Sequence, residues 1–336
     1  MTDANLLRRR RVARIQQYSV LATLILVSAL FAVLSPPFLS FSNINNILLQ
    51  STATAIAAIG MTFVLILGEV DVSIGSLMSL AMTVAWMGAV TPAAPGQEAP
   101  VGAMVYPVGI TMGLLLGLIN GLLINTLRIN AFIATLATMF AFRGIAWKLV
   151  GASDKPFSDS AVLWLGRTEI FGIGLPVFVT LVIAVLAAIL LHRVPVGRYI
   201  VAIGGSPRSA VETGLPIRSM RLVVYAVSGL CCAIAGLITI GRVGVLQSGL
   251  GSGFEFTVIA AVVLGGTSLL GGRGSIIGSI LGAILLVVID NGLNLLNASV
   301  YIYDVVKGAI LIGGVMIDAL LFARLRSSFK TEKAPA

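Results

Sequence analysis

Residues 47–90 read ILLQSTATAIAAIGMTFVLILGEVDVSIGSLMSLAMTVAWMGAV. Two apolar blocks, 47–67 and 73–90, meet across a short break that carries two carboxylates, Glu69 and Asp71. A helix rises about 1.5 Å per residue, so roughly 20 residues cross the ~30 Å hydrocarbon core of a bilayer. Each block has about that length, and neither shows the single polar face of a soluble surface helix. The stretch therefore predicts consecutive membrane spans rather than the core of a water-soluble domain.

The rest of the chain repeats the pattern. Of its 336 residues 58% are hydrophobic and only 10% charged, against about 25% charged in ordinary soluble domains. We read an all-α membrane protein of about ten transmembrane helices, at 18–35, 47–67, 73–90, 103–126, 131–150, 173–192, 222–241, 256–270, 275–296 and 304–323. Turn chemistry separates them, as in Pro36-Pro37 and Gly271-Gly272-Arg273-Gly274. The first block exceeds a signal-peptide core of about 7–15 residues, so it is read as a retained helix. Cys231 and Cys232 are adjacent within one apolar block and form no disulfide framework.

The net charge of +9 invites a nucleic-acid partner, but its placement excludes one. Arg8, Arg9, Arg10, Arg11 and Arg14 precede the first span. Arg128, the connection at 193–221 (Arg193, Arg198, Arg208, Arg218, Arg221), Arg273, and the tail residues Arg324, Arg326, Lys330 and Lys333 all fall on one side of a ten-span topology. Only Arg143, Lys148, Lys155, Arg167, Arg242 and Lys307 fall elsewhere. By the positive-inside rule both termini are cytoplasmic and the span number is even. The chain divides into a basic cytoplasmic segment 1–17, a polytopic domain 18–323 and a cytoplasmic tail 324–336.

An internal repeat is also present. Ile56-Ala57-Ala58 recurs as Ile259-Ala260-Ala261, Leu67-Gly68 as Leu270-Gly271, and Ile74-Gly75-Ser76 as Ile277-Gly278-Ser279, all at one ungapped offset. Its orientation, parallel or inverted, is left open by sequence. The repeat aligns the break at 68–76 with that at 271–279. Paired interruptions in corresponding halves point to a substrate path, and a charge near the bilayer centre costs a few kcal/mol unless it faces protein or a cavity. Glu69, Asp71, Ser73 and Gly75 are therefore candidate path residues. An equally open reading makes Asp71 the cap of a tight turn at the membrane surface.

Asp290, an intramembrane carboxylate, joins the path candidates with Asn291 and Asn294. Asn120, Thr135 and Thr138 read as helix–helix hydrogen-bonding residues. The 193–221 connection is the longest cytoplasmic loop. In it Ser206 suits a helix N-cap, Pro207 the first helical position and Gly214 the residue past the end. A helix of about two turns is marginal alone, so it packs on its own bundle or serves a cytoplasmic partner. There is no G-x-x-x-x-G-K-[ST] and hence no P-loop. No metal-ligand cluster or nucleophile–base pair appears, and the single histidine, His192, ends a span where it can snorkel. The chain reads as a non-enzyme that binds no cofactor.

Five ordered segments resemble the permease subunit of bacterial ATP-binding-cassette sugar importers of the ribose/xylose/galactose type. They are Gly68–Ser76, Phe132–Thr138 with Arg143-Gly144, Gly197–Gly205, Val263–Gly278 and Asn291–Leu296. The resemblance spans about residues 40 to 320. It implies a multi-pass protein of the bacterial inner membrane, working with a cytoplasmic ATPase that hydrolyses ATP, a periplasmic sugar-binding protein, and a second permease copy or paralogue. It also implies that the loop around Arg198, Ser206, Arg208, Glu212 and Gly214 couples to the ATPase. Three positions depart from the family pattern. Glu69 stands where Gly is usual, Ala131 where Pro is usual, and Ser206–Ser209 where an N-E-E-A-like run is common. Two alternatives remain at this stage: a branched-chain amino-acid importer permease, and an ion- or proton-coupled secondary transporter using Glu69, Asp71 and Asp290 as relays.

Overall fold

The computed structural model describes residues 3–91, 100–151, 153–156, 160–299, 301–303, 305–309 and 312–313, with side-chain environments from residue 19 onward. Its helices in chain order are α1 (Asp3–Leu34), α2 (Phe41–Leu67), α3 (Ile74–Ala89), α4 (Val105–Leu127), α5 (Ala131–Val150), α6 (Ser160–Arg167), α7 (Leu175–His192), α8 (Pro195–Gly205), α9 (Pro207–Glu212), α10 (Ile217–Val243), α11 (Phe254–Leu264) and α12 (Ile276–Leu295).

Among the described residues, six helices are long and apolar enough to cross a membrane: α2, α4, α5, α7, α10 and α12. Three shorter apolar helices, Ser19–Leu34, α3 and α11, accompany them. One of these, α11, differs from its expected block for a local reason. The 256–270 block is helical only to Leu264, because Gly265 and Gly266 follow and Gly266 turns left-handed at φ +84°. Eleven residues cover only about 16 Å. α3, with 16 residues, covers about 24 Å. The span expected at 304–323, the segment 1–17 in its side chains, and the tail 324–336 lie largely outside the described residues.

α2 is the centre of the molecule. Ser40 caps its start by accepting from the Asn43 amide, and Gly68, at φ +88°, ends it. Every residue from Ser51 to Leu67 is buried, as expected for a helix that is apolar all round. α10 packs on α4 and α2 through small residues. A Cβ on Gly117 would lie 2.2 Å from the Tyr225 carbonyl oxygen, and one on Gly60 would lie 2.9 Å from Cys231 Cβ. Such contacts bring helix backbones together where no water drives association. By contrast α1, α5 and α7 expose large apolar side chains, among them Leu26, Val33, Phe140, Leu181 and Leu186. Those faces suit contact with lipid chains.

The ends of the bundle hold structure that hydropathy did not foresee. Lys155–Pro156 pairs antiparallel with Val245–Leu246, and Glu169–Ile170 with Ile173–Gly174; α6 lies between, with Gly166 against Gly241. The described chain is mostly helical, as its sequence predicts, with these two short ladders at one end. At the other end α8 precedes α9. Ser206 caps α9 by accepting from the Ser209 amide, Pro207 opens it, and Gly214 follows at φ +70°, as its sequence predicts.

Candidate functional site

Both helix breaks lie at the end of the bundle that carries α8 and α9. Gly68 and Gly271, each following a leucine, are both left-handed, at φ +88° and +84°. They also touch: a Cβ built on Gly271 would be 2.9 Å from Gly68 Cα. The Gly272 amide donates to the Ile66 carbonyl at 2.8 Å, which the turn at Gly68 leaves accessible. After each break a new helix begins. Ser275 caps α12 by accepting from the Gly278 amide. In the first break Ser73 stands at the N-cap of α3 without a side-chain cap bond, and Asp71 closes a local turn onto it, its Oδ1 accepting from the Ser73 amide at 2.9 Å and the Ser73 hydroxyl at 2.6 Å.

Asp71 is fully buried. Ser228 of α10 stands 3.5 Å from its second oxygen, and Asn120 of α4 donates to Ser73 Oγ at 2.7 Å. The Val72 amide donates to Thr135 Oγ1 of α5. Three helices therefore hold the break, and donors rather than a cation surround its carboxylate among the described residues. Glu69, next to it, accepts from Arg221 Nε at 2.6 Å, and Arg221 Nη2 lies 2.6 Å from the same oxygen. Arg221 also donates to Asn125 Oδ1 at 2.7 Å, and Asn125 to the Arg218 carbonyl at 2.9 Å. The start of α10 is thereby tied to the end of α4 and to the first break.

A cavity of about 720 Å³ lies elsewhere, around Gln247, Ser252, Phe254, Thr257, Met78 and Lys307. Its lining segment, 247–254, joins α10 to α11 and is fixed from α5. Arg143 donates to the Gly251 carbonyl and Ser252 Oγ, each at 3.3 Å, and Trp147 Nε1 donates to the Ser248 carbonyl at 2.9 Å. Arg143 also faces Glu255 at 3.6 Å, whose side chain is only 3% exposed. Asp154 accepts from the Ser248 amide.

The path candidates from the sequence fall in three places around these features. Glu69, Asp71 and Ser73 form the first break. Gly75 sits one turn on and meets the cavity segment from behind, since a Cβ there would lie 2.1 Å from the Gly251 carbonyl oxygen. Asp290 pairs with Lys307 at 3.1 Å, and Lys307 lines the cavity. Asn291 exchanges hydrogen bonds with Asn43 at 3.0 and 2.9 Å, tying α12 to the start of α2, while Asn294 is exposed. The loop residues Arg198, Arg208 and Glu212 lie on α8 and α9 and Gly214 just past α9, with Arg208 and Glu212 exposed. The sequence did not single out Glu255, Arg221 as a partner of Glu69, or the 247–257 segment. A signal for the first existed: Arg143 and Glu255 are opposite charges in two apolar blocks, and such groups pair when buried. Among the described residues, no group of three His, Cys, Asp or Glu side chains could hold a metal ion.

The comparisons agree with this architecture. A family model described as "Branched-chain amino acid transport system / permease component" matches residues 43–315. The ribose import permease protein of Haemophilus influenzae is 37% identical over 91% of this chain and 94% of its own length. The D-allose transport system permease protein of Escherichia coli is 34% identical over 91% and 92%. The galactose/methyl galactoside import permease protein of the same species is 33% identical over 92% and 96%. No solved structure matches. With its apolar helices, two matched breaks and near full-length similarity to these proteins, the chain belongs to this family of multi-pass transport permeases.

Proposed function

We propose that the chain is the channel-forming subunit of an ATP-driven importer for a sugar or sugar-like solute. It works in the bacterial inner membrane with a separate cytoplasmic ATPase, a periplasmic sugar-binding protein and a second permease copy or paralogue. The observation that carries this reading is α8, whose last glycines sit on both helix breaks and which leads straight into the capped helix α9. A partner that moves α8–α9 acts on the backbone at both breaks. The similarity to ribose, allose and galactose permeases supports a sugar and does not favour the amino-acid or ion-coupled alternatives.

In this reading the bundle has ten spans, with 304–323 as the tenth, and α2–α3 and α11–α12 are the two copies of a repeat. Both termini are cytoplasmic. Support comes from the bundle end holding Arg218 and Arg221 beside Asn125, and Arg273 beside the second break. The solute path runs from the cavity past Gly75 towards Glu69, Asp71 and Ser73, with Asp290, Asn291 and Asn294 along α12. Arg198, Ser206, Arg208, Glu212 and Gly214 form the ATPase-coupling surface.

Reconstitution into proteoliposomes tests the proposal, with ribose as the first probe. Uptake is expected only with ATP, the ATPase and the binding protein together. Uptake driven by a proton gradient without the ATPase would refute it. In the same assay Asp71→Asn is expected to lower uptake without changing insertion, and wild-type uptake would reduce Asp71 to a cap.

A further inference from the structure

Five glycines from three segments meet at the α8 end of the bundle: Gly68 after α2, Gly204 and Gly205 at the end of α8, and Gly271 and Gly272 after α11. A Cβ on Gly204 would lie 1.9 Å from the Ile66 carbonyl oxygen and 2.8 Å from the Gly272 nitrogen. One on Gly271 would lie 2.7 Å from the Gly204 carbonyl oxygen, and one on Gly272 would lie 2.7 Å from Gly205 Cα. The Gly272–Ile66 hydrogen bond closes the cluster. Gly204 therefore packs against the very bond that joins the two breaks.

We propose that Gly204 is the positioning residue that makes α8 and both helix breaks move as one body. A contact through long side chains can absorb displacement by changing rotamer, whereas close-packed backbone has no such freedom and transmits strain. Small shifts at one site become larger rearrangements only where the connection between elements is stiff. The far end of the loop is tied to the same break, because Arg221 at the start of α10 holds Glu69. A displacement of α8–α9 thus reaches Gly68 and Gly271 together instead of being lost in a flexible loop. Gly205 provides an internal control, since its Cβ would meet only Gly272 Cα, at 4.0 Å, an ordinary contact.

This rests on the reading of α8–α9 as the ATPase-docking element, and the experiment separates the two. The assembled permease–ATPase complex is prepared with Gln247→Cys as a reporter in the cavity. Cys231 and Cys232 are buried and free, so they add little background. Labelling by a membrane-impermeant maleimide is compared without nucleotide and after trapping with ATP and vanadate. The wild-type background and Gly205→Ala are expected to show a trapping-dependent change in labelling. Gly204→Ala is expected to keep ATPase co-purification and ATP hydrolysis but to lose that change. A retained change in Gly204→Ala overturns the proposal. Should Gly204→Ala not assemble, spin labels at the exposed Val211 and Leu270, 67% and 91% accessible, decide instead. Their separation is expected to stay fixed on trapping, and a shift in it overturns the proposal. Failure of the docking reading shows differently: Arg208→Glu with unchanged ATPase co-purification, whatever the labelling does.

Discussion

Removing Arg221 should destabilise the protein more than removing its partner Glu69, and the structure supplies the size of the difference. Two guanidinium nitrogens lie 2.6 Å from one Glu69 oxygen, with side chains 21% and 13% exposed. At that burial the attraction is largely offset by desolvation, so the intact pair adds little net stability. Breaking it is another matter, since the remaining charge is left without its partner at a typical cost of about 3–5 kcal/mol. Arg221→Ala leaves Glu69, the more buried group, and also strips Asn125 of its donor, which adds about 0.5–1.5 kcal/mol. We expect a loss of about 4 kcal/mol, nearly a thousandfold in the unfolding equilibrium. Glu69→Ala leaves Arg221 with Asn125 and with partial access to water. We expect about 2 kcal/mol there. The double variant removes both charges and should be no worse than Glu69→Ala alone, giving a coupling energy of about 4 kcal/mol. Equilibrium unfolding of the purified permease in mixed micelles, titrated with sodium dodecyl sulfate, measures all four corners. Equal single losses that simply add in the double variant would refute the reasoning.

Three further outcomes follow from the same geometry. Gly117→Ala puts a methyl 2.2 Å from the Tyr225 carbonyl oxygen and should separate α4 from α10, lowering stability in the same titration by about 1–3 kcal/mol. Gly144→Ala, in α5 with nothing within 4 Å, should instead stabilise by about 0.5–1 kcal/mol. Arg143→Met leaves Glu255 buried without its cation and frees the 251–252 carbonyl and hydroxyl. A loss of about 3–5 kcal/mol is expected, and Arg143→Lys should recover only part of it because an ammonium cannot present two donors in a fork.

Hydropathy made the spans legible because length and apolar content are properties of a single segment. It located α4, α5, α7 and α12 to within two residues and found α2 and α10, placing their starts late, at 47 and 222 instead of Phe41 and Ile217. It also placed α9, since Ser206, Pro207 and Gly214 carry their structural meaning locally. It failed on α11 for a specific reason. A sliding apolar count treats Gly265 and Gly266 as neutral, whereas the backbone uses them to stop the helix and turn. Apolar content and helicity part company wherever glycines do structural work inside a block.

The site was half legible for a related reason. The two breaks could be found separately, because glycines at 68 and at 271–272 interrupt apolar sequence. Their contact could not, since nothing in a single segment states what it touches. Glu69 shows this most clearly. On sequence it is a stray acid in place of a glycine, a threat to any substrate assignment. In the structure its charge is already engaged by Arg221, a residue counted only as part of the cytoplasmic charge bias. A departure from the family pattern therefore reads as an added tie between the first break and α10 before it reads as a change in the solute. The same logic holds for Arg143 and Glu255, which sequence separates and the fold joins. In a chain this poor in charge, an unexplained ionisable residue inside the bundle is best approached by asking which opposite charge the fold brings to it. Asp71, which has no cation beside it among the described residues, is the acid that this reasoning leaves for the proposed solute path to explain.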